Sequence, residues 1–425
     1  MKITYITQAC LLIESCGLRI LTDPWLVGPC FAGNLWHFPP PKRKPEDFGG
    51  IDIIYFSHAH EDHFQMESIN RLPSDTREGL VLIPDFKAPY FEHMVRDAGF
   101  ENVKVLAHDE SLDLADGLVL DMLVNDKGDH DSSVVLQGDG STVFLQTDNL
   151  MTVEEAKRLG GEYDIDLVFA VTMLTGIFPG FYDFPPDEMV ALSEKKRTTA
   201  REYSLSVVEA LGARHMVPYA SDLCYLGDLF FANALHRHQK DTYLSSLKER
   251  LPGVEGIRMW PDDEIELHDG KVTSRVTPQG DGLTEIAAYS VVMRKEVAAV
   301  VREEHSRTDP PMEEAVRQFR ESLDSYAESA WKGKEFRVLW KVVDEDGTMS
   351  CFGHTMTAPT QDCDENWPYD LRIEVPLYRL RRLVHGDFLM GFMALWNGSL
   401  RCHRHSADYS PAEQKFWYWA IFFRM

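Results

Sequence analysis

The stretch Phe56-Ser57-His58-Ala59-His60-Glu61-Asp62-His63 puts three imidazoles and a carboxylate within six residues. Imidazole nitrogen and carboxylate oxygen together make a borderline donor set, suited to zinc or iron. The stretch leaves an apolar run, Ile51 to Phe56, that reads as a buried strand. On extended chain His58 and His60, two apart, project to one side. Asp62 and His63 fall where the chain turns toward a helix over Gln65 to Arg71, so they can address a second point a few ångströms away. The plain alternative is a polar surface loop that happens to hold histidines, and a place at the mouth of a buried strand argues against it.

Such a cluster needs further donors from elsewhere in the chain. His130, in Gly128-Asp129-His130-Asp131-Ser132, stands just before the strand Val134 to Gln137. Gly138-Asp139-Gly140-Ser141 is a hairpin turn signal, and the returning strand Thr142 to Gln146 runs into Thr147-Asp148-Asn149. A hairpin of this kind brings His130 and Asp148 to one edge. Each alone is equally a turn former.

The elements that must carry these residues alternate along the chain. Strands are expected at Lys2 to Ile6, Cys10 to Glu14 and Leu18 to Thr22, then a Pro- and Gly-rich loop over residues 26 to 50. Further strands are expected at Leu80 to Ile83, Val103 to Leu106, Leu118 to Val124, Leu167 to Val171 and His215 to Pro218. Helices are expected at Tyr90 to Ala98, Glu154 to Leu159, Asp187 to Leu211 and Leu229 to Leu251. This order gives an α/β fold, two sheets covered by helices. Gly, Thr, Ser and Asp dominate 270 to 282, which divides a first unit, 1 to 270, from a second, 283 to 425. The second reads as α+β: a helical face from Met312 to Tyr326 and strands at Phe336 to Val343, Leu371 to Val375 and Phe388 to Leu395.

The H-x-H-x-D-H cluster, with a histidine and an aspartate downstream in order, resembles the metallo-β-lactamase superfamily, whose fold is an αββα sandwich. Within it the chain resembles the branch of lactonases and CMP-N-acetylneuraminate hydroxylase. The hydroxylase-type, Rieske-associated group matches better, through Leu21-Thr22-Asp23-Pro24-Trp25, residues 57 to 63, Asp131-Ser132-Ser133, Thr147-Asp148-Asn149, Phe181-Tyr182-Asp183-Phe184 and Val217-Pro218-Tyr219-Ala220-Ser221. The resemblance implies one metal at His58, His60 and His130, with Asp148 bridging toward Asp62 and His63. Asp62 and Asp148 are the implied catalytic carboxylates. The superfamily's Pro-x-His after the strand at 215 to 218 is missing, so a second metal would be incomplete, with Asp222 or His215 as substitutes. His215 reads as a core residue.

The activity implied is an iron-dependent oxygenase or hydroxylase acting on a polar small molecule, with one or two irons. The Rieske signature, C-x-H with C-x-x-H, is not seen; Cys351-Phe352-Gly353-His354 and Cys402-His403-Arg404-His405 do not reproduce it. Electrons are then expected from an external ferredoxin or reductase, or from the substrate itself. The alternative is a zinc or manganese hydrolase of an ester, lactone or phosphodiester, the metal lowering the pKa of bound water to about 7. Tyr182, Tyr219 and Tyr225 are candidate substrate contacts, with plain packing as the other account.

Composition trims this list. A net charge of −25 repels polyanions, so nucleic acid is not an expected partner. No run reaches the roughly 18 apolar residues of a membrane span. Seven scattered cysteines make no disulfide framework, and with no secretory start the expected location is cytoplasmic.

Overall fold

A computed structural model describes the chain except residues 126–129, 174–175, 238–239, 332–334, 386–397, 406–409 and 422–425; the side chains of 326–330 and 418–421 also lie outside it. Among the described residues, seventeen strands precede residue 276. They are β1 (Lys2–Thr7), β2 (Cys10–Ser15), β3 (Leu18–Thr22), β4 (Trp36–His37), β5 (Ile53–Tyr55), β6 (Leu80–Pro84), β7 (Val103–Leu106) and β8 (Glu110–Ala115). There follow β9 (Leu118–Asn125), β10 (Asp131–Gly138), β11 (Ser141–Leu145), β12 (Leu167–Val171), β13 (His215–Tyr219), β14 (Leu223–Cys224), β15 (Glu255–Gly256), β16 (Glu264–His268) and β17 (Lys271–Arg275). Fifteen of them form two sheets, ordered β17-β16-β1-β2-β3-β5-β6-β7 and β15-β13-β12-β11-β10-β9-β8.

Strand alternation sorts the side chains into three layers. Ile3, Tyr5, Leu11, Ile13, Ile53, Tyr55 and Leu82 meet Leu120, Met122, Val134, Leu136, Leu145, Phe169 and Val217 between the sheets. On the outer face of the first sheet, Ile6, Leu12, Leu21, Ile54, Phe56 and Val81 pack on Ile69 of α1 (Met66–Asn70) and on Phe91 and Val95. Short α2 is Ser74–Arg77, and Phe91 and Val95 belong to α3 (Tyr90–Asp97). The second sheet's outer face packs on α4 (Val153–Glu162), α5 (Pro186–Leu211) and, beyond short α6 (Ala232–His236), α7 (Lys240–Arg250). Both sheets are therefore apolar on both faces, which is why their parallel strands read as unbroken hydrophobic runs. The architecture is the αββα sandwich of the metallo-β-lactamase fold.

Beyond it come α8 (Leu283–Val292), α9 (Arg294–His305), α10 (Met312–Ala330), α11 (Leu377–Val384) and α12 (Pro411–Ile421). With them come β18 (Arg337–Val343), β19 (Met349–Thr355), β20 (Gln361–Asp362), β21 (Leu371–Pro376) and β22 (Arg401–His403), ordered β20-β19-β18-β21-β22, with α10 and α11 packed on this sheet and α8 on Trp36 and Phe38 instead. The core here mixes both ends of the chain: Trp340, Phe352, Ile373 and Leu380 pack in one cluster with Trp25, Phe31, Leu35, Phe181 and Tyr182. Phe416 and Trp417 are buried in that cluster too. The strand expected at Phe388 to Leu395 lies outside the described residues.

Two expectations change. The helix expected from Leu229 to Leu251 is broken into α6 and α7 because Arg237 is extended (ψ 139°), its guanidinium drawn inward to the carbonyls of Leu223, Asp281 and Phe38. The polar stretch after 270 begins with β17, an edge strand joined to β16 by Asp269-Gly270, both at positive φ (49° and 72°), as a two-residue hairpin requires. Five residues past the expected limit of the first unit thus belong to its sheet.

Candidate metal centre

The parallel strands β3, β5 and β6 aim their carboxyl ends at one edge of the sandwich, where the 56–63 stretch leaves β5. Two groups of donors meet there, each with its ligand atoms within 4.8 Å of one another: His58, His60 and Asp148, and Asp62, His63 and Asp148. Asp148 is shared, as a bridging carboxylate would be. His58 and His63 are fully buried, while His60 and Asp148 reach partly into solvent, which leaves the pair of sites an open side.

The imidazoles are oriented from behind. Asp23, fully buried, sets Oδ2 2.8 Å from His63 Nδ1 and accepts hydrogen bonds from the Ser57 backbone N–H (2.8 Å) and hydroxyl (2.7 Å). Ser57 Oγ in turn lies 2.9 Å from His58 Nδ1. With the Nδ1 side engaged, His63 Nε2 faces Asp148 (3.5 Å) and Asp62 (3.7 Å). Carboxylate partners of this kind fix the tautomer and raise the basicity of a ligating imidazole. Asp62 Oδ2 also accepts from the Gln8 amide at 3.3 Å.

Among the described residues, buried His58 Nε2, His63 Nε2 and Asp148 Oδ1 have no hydrogen-bond partner. Orphaned polar atoms in a dry pocket are costly unless something fills the gap. Burial, with the neighbouring imidazoles, pushes His58 and His60 down to about 3, so both are neutral and ready to ligate. Burial opposes charge on His63 as well, yet the carboxylates of Asp148, Asp62 and Asp23 hold its pKa well above the usual value. Burial raises Asp62 to about 6. Burial works the same way on Asp148, but His63, His58 and His60 bring it down to about 2. Two neutral imidazoles, and carboxylates whose negative charge is strong enough to raise His63, make a setting a divalent cation fits.

The structure gathers five of the six expected donors. His130 is outside both groups: at φ +50° its backbone turns, and its ring stacks on Phe86 (5.4 Å) and Tyr90 (5.8 Å). The next residue, buried Asp131, instead sets Oδ1 2.9 Å from His58 Nδ1, without the alignment of a hydrogen bond. Burial raises its carboxyl to about 7. Asp222 is not a donor here, since its carboxylate is held by Lys240 Nζ (2.7 Å) and the Tyr5 hydroxyl (2.6 Å). His215 binds the Asp166 carbonyl through Nδ1 (2.9 Å), a structural use.

The tyrosines singled out above are packed residues: Tyr219 donates to the Ala9 carbonyl (2.6 Å) and Tyr182 to buried Glu413 (2.5 Å). Tyr225 is buried against Phe181 and His236. Cys351 and Cys402, on β19 and β22, are separated by β18 and β21 and so stay apart in the sheet. Asp23, Gln8 and Asp131 went unassigned in the sequence. Signals existed for Asp23, a carboxylate closing an apolar strand beside the cluster's strand, and for Asp131, in a stretch that carries the family resemblance, but not for Gln8.

Residues 2–153 match the family model described as beta-lactamase superfamily domain. A Mycolicibacterium smegmatis protein described as a candidate Rieske 2Fe-2S iron-sulfur protein is 25% identical over 369 residues, 81% of this chain and 70% of its own length. Cytidine monophosphate-N-acetylneuraminic acid hydroxylase from Mus musculus is 32% identical over 107 residues, 25% of this chain but only 18% of that protein. Among solved structures, an isothiocyanate hydrolase from Delia radicum gut bacteria superposes with a TM-score of 0.48 at 16% identity, covering 63% of this chain and 99% of that one.

Proposed function

From a chain whose residues 2–153 match the beta-lactamase superfamily domain, we propose a metal-dependent oxygenase or hydroxylase that uses iron and acts on a polar small molecule. The observation that carries the metal reading is the pair of donor groups sharing Asp148, backed by three buried atoms without partners. His58, His60 and Asp148 would hold one ion, and Asp62, His63 and Asp148 a second. The preference for oxygen chemistry rests on similarity to the hydroxylase and to the Rieske-described protein. Bound ferrous iron at a nitrogen and oxygen site with open positions supplies dioxygen activation.

The protein's own part is positioning and charge. Asp23 and Ser57 hold His63 and His58 with the Nε2 atoms turned inward. The loop after β3 is fastened over the site: Gln65 donates to the Val27 carbonyl (2.8 Å), and Glu61 accepts the Phe31 backbone N–H. Cys30 and Phe31, both buried, belong to the loop so fastened. An external iron-sulfur protein or reductase is the proposed electron source, in keeping with the relative's description. Among the described residues no helix is long and apolar enough to cross a membrane.

The second reading is a zinc or manganese hydrolase, favoured by the same donor set, because nitrogen and oxygen ligands accept those ions equally well. Asp62, with its carboxyl raised to about 6, would then take a proton from the attacking water. Metal analysis of anaerobically purified protein, followed by oxygen exposure, separates the two. Iron that oxidises with oxygen uptake supports the oxygenase. Zinc at full occupancy, with no oxygen uptake, supports the hydrolase.

A further inference from the structure

We propose that Gln8 is a positioning residue for the Asp62, His63 and Asp148 centre, and that the buried Asp222–Lys240–Tyr5 group exists to hold it. This rests on the metal reading given above. Gln8 is 1% exposed and lies in the turn between β1 and β2 at φ +43°, a left-handed conformation that a glutamine adopts at a cost. Backbone strain of this kind persists only where the surroundings over-determine it.

Here they do. The Gln8 carbonyl accepts the Ala220 backbone N–H at 3.2 Å and lies 3.1 Å from the Tyr5 oxygen, whose proton goes to Asp222. At the other end of the side chain, Gln8 Oε1 accepts the Asp222 backbone N–H at 2.8 Å. That contact fixes which way the amide faces, so its nitrogen must point away from Asp222, and it meets Asp62 Oδ2 at 3.3 Å. Asp222 is immobilised in turn, one carboxylate oxygen 2.7 Å from Lys240 Nζ and the other accepting from Tyr5 at 2.6 Å. Asp222, Lys240 and Tyr5 are all buried.

An ion pair this deep recovers its desolvation only if its geometry is fixed. The fixed object it presents to the metal centre is the Gln8 amide. Without that donor the Asp62 carboxylate is free to turn onto His63 Nε2, 3.7 Å away, and close the space an ion needs. Among the described residues the side-chain hydrogen bonds of Gln8 go to Asp62 and Asp222, not to His58 or His60, so its influence falls on one of the two centres.

The test is a titration of the metal-free full chain with cobalt(II), whose absorption reports each ion's environment, in the wild type, Gln8→Met and Gln8→Ala. Gln8→Met is close to isosteric and guards against a folding defect, which the melting temperature of the metal-free proteins would expose. Two ions per wild-type chain, with one dissociation constant raised at least tenfold in both variants and the other within twofold, is the expected result; losses of 10 to 100-fold are usual when a ligand's hydrogen-bonding partner is removed. Two ions bound with wild-type constants by Gln8→Met would overturn the role of Gln8 alone. Fewer than two ions in the wild type would overturn the two-ion reading beneath it. Equal weakening of both ions would mean a general packing defect and sink the proposal as well.

Discussion

Replacing Asp23 by asparagine tests how far the buried histidines depend on their backing. The Asp23 carboxylate accepts from the Ser57 backbone and hydroxyl and faces His63 Nδ1 at 2.8 Å. In Asp23→Asn the amide oxygen keeps the Ser57 N–H, so the amide nitrogen faces His63 and donates. His63 Nδ1 must then be bare, and its proton moves to Nε2, the atom that points at Asp148 and Asp62. Losing such a partner weakens metal binding by roughly 10 to 100-fold. That is about 1.4 to 2.7 kcal/mol. Because Ser57 Oγ can still reach His58 Nδ1, the centre at His58 and His60 should suffer less. Competition with a chromophoric chelator measures both constants, and thermal melting of the metal-free protein checks the fold. Unchanged constants for both ions in a variant that folds normally would refute the claim that Asp23 sets the His63 tautomer.

Other outcomes follow from the same geometry. His60→Ala should remove the ion at the first centre, while His236→Ala, on a helix outside both donor groups, should leave metal content as in the wild type by elemental analysis. His130→Ala should likewise keep both ions, since its ring packs on Phe86 and Tyr90, and loss of one would restore it as a ligand. Burial lowers Lys196 to about 7, with its ammonium against the Phe178 carbonyl (2.8 Å). Between about 7 and the unfolded value near 10.4 the unfolded chain binds the extra proton, so this residue's contribution to stability rises with pH across that window and is most unfavourable below it. Lys196→Met should therefore raise stability at pH 7 by about 1–2 kcal/mol, allowing for partial exposure, and the gain should shrink toward pH 10 in denaturant titrations.

The sequence exposes the sandwich because its sheets are apolar on both faces, giving continuous runs such as Leu167 to Val171. The cluster at 58 to 63 is legible because its donors are contiguous. What lies hidden depends on backbone turns that composition does not announce. A positive φ at His130 moves that ring to Phe86 and leaves Asp131 beside His58. Thr147, just before Asp148, and Gln8, Asp23 and Ala220 also take positive φ without being glycine. Strain of this sort gathers at functional sites. Elsewhere β17 escaped notice because an exposed edge strand carries polar residues, Lys271, Thr273, Ser274 and Arg275 among them, that look like linker. The break at Arg237 was invisible because its carbonyl partners come from residues 38, 223 and 281, distant in sequence.

Diffraction from crystals of the anaerobically iron-loaded chain, recorded on both sides of the iron absorption edge, puts the central claim to its most direct trial. Two anomalous peaks should appear, one among His58, His60 and Asp148 and the other among Asp62, His63 and Asp148. Iron held elsewhere, or no ordered ion between Asp148 and the histidines of residues 58 to 63, would contradict it.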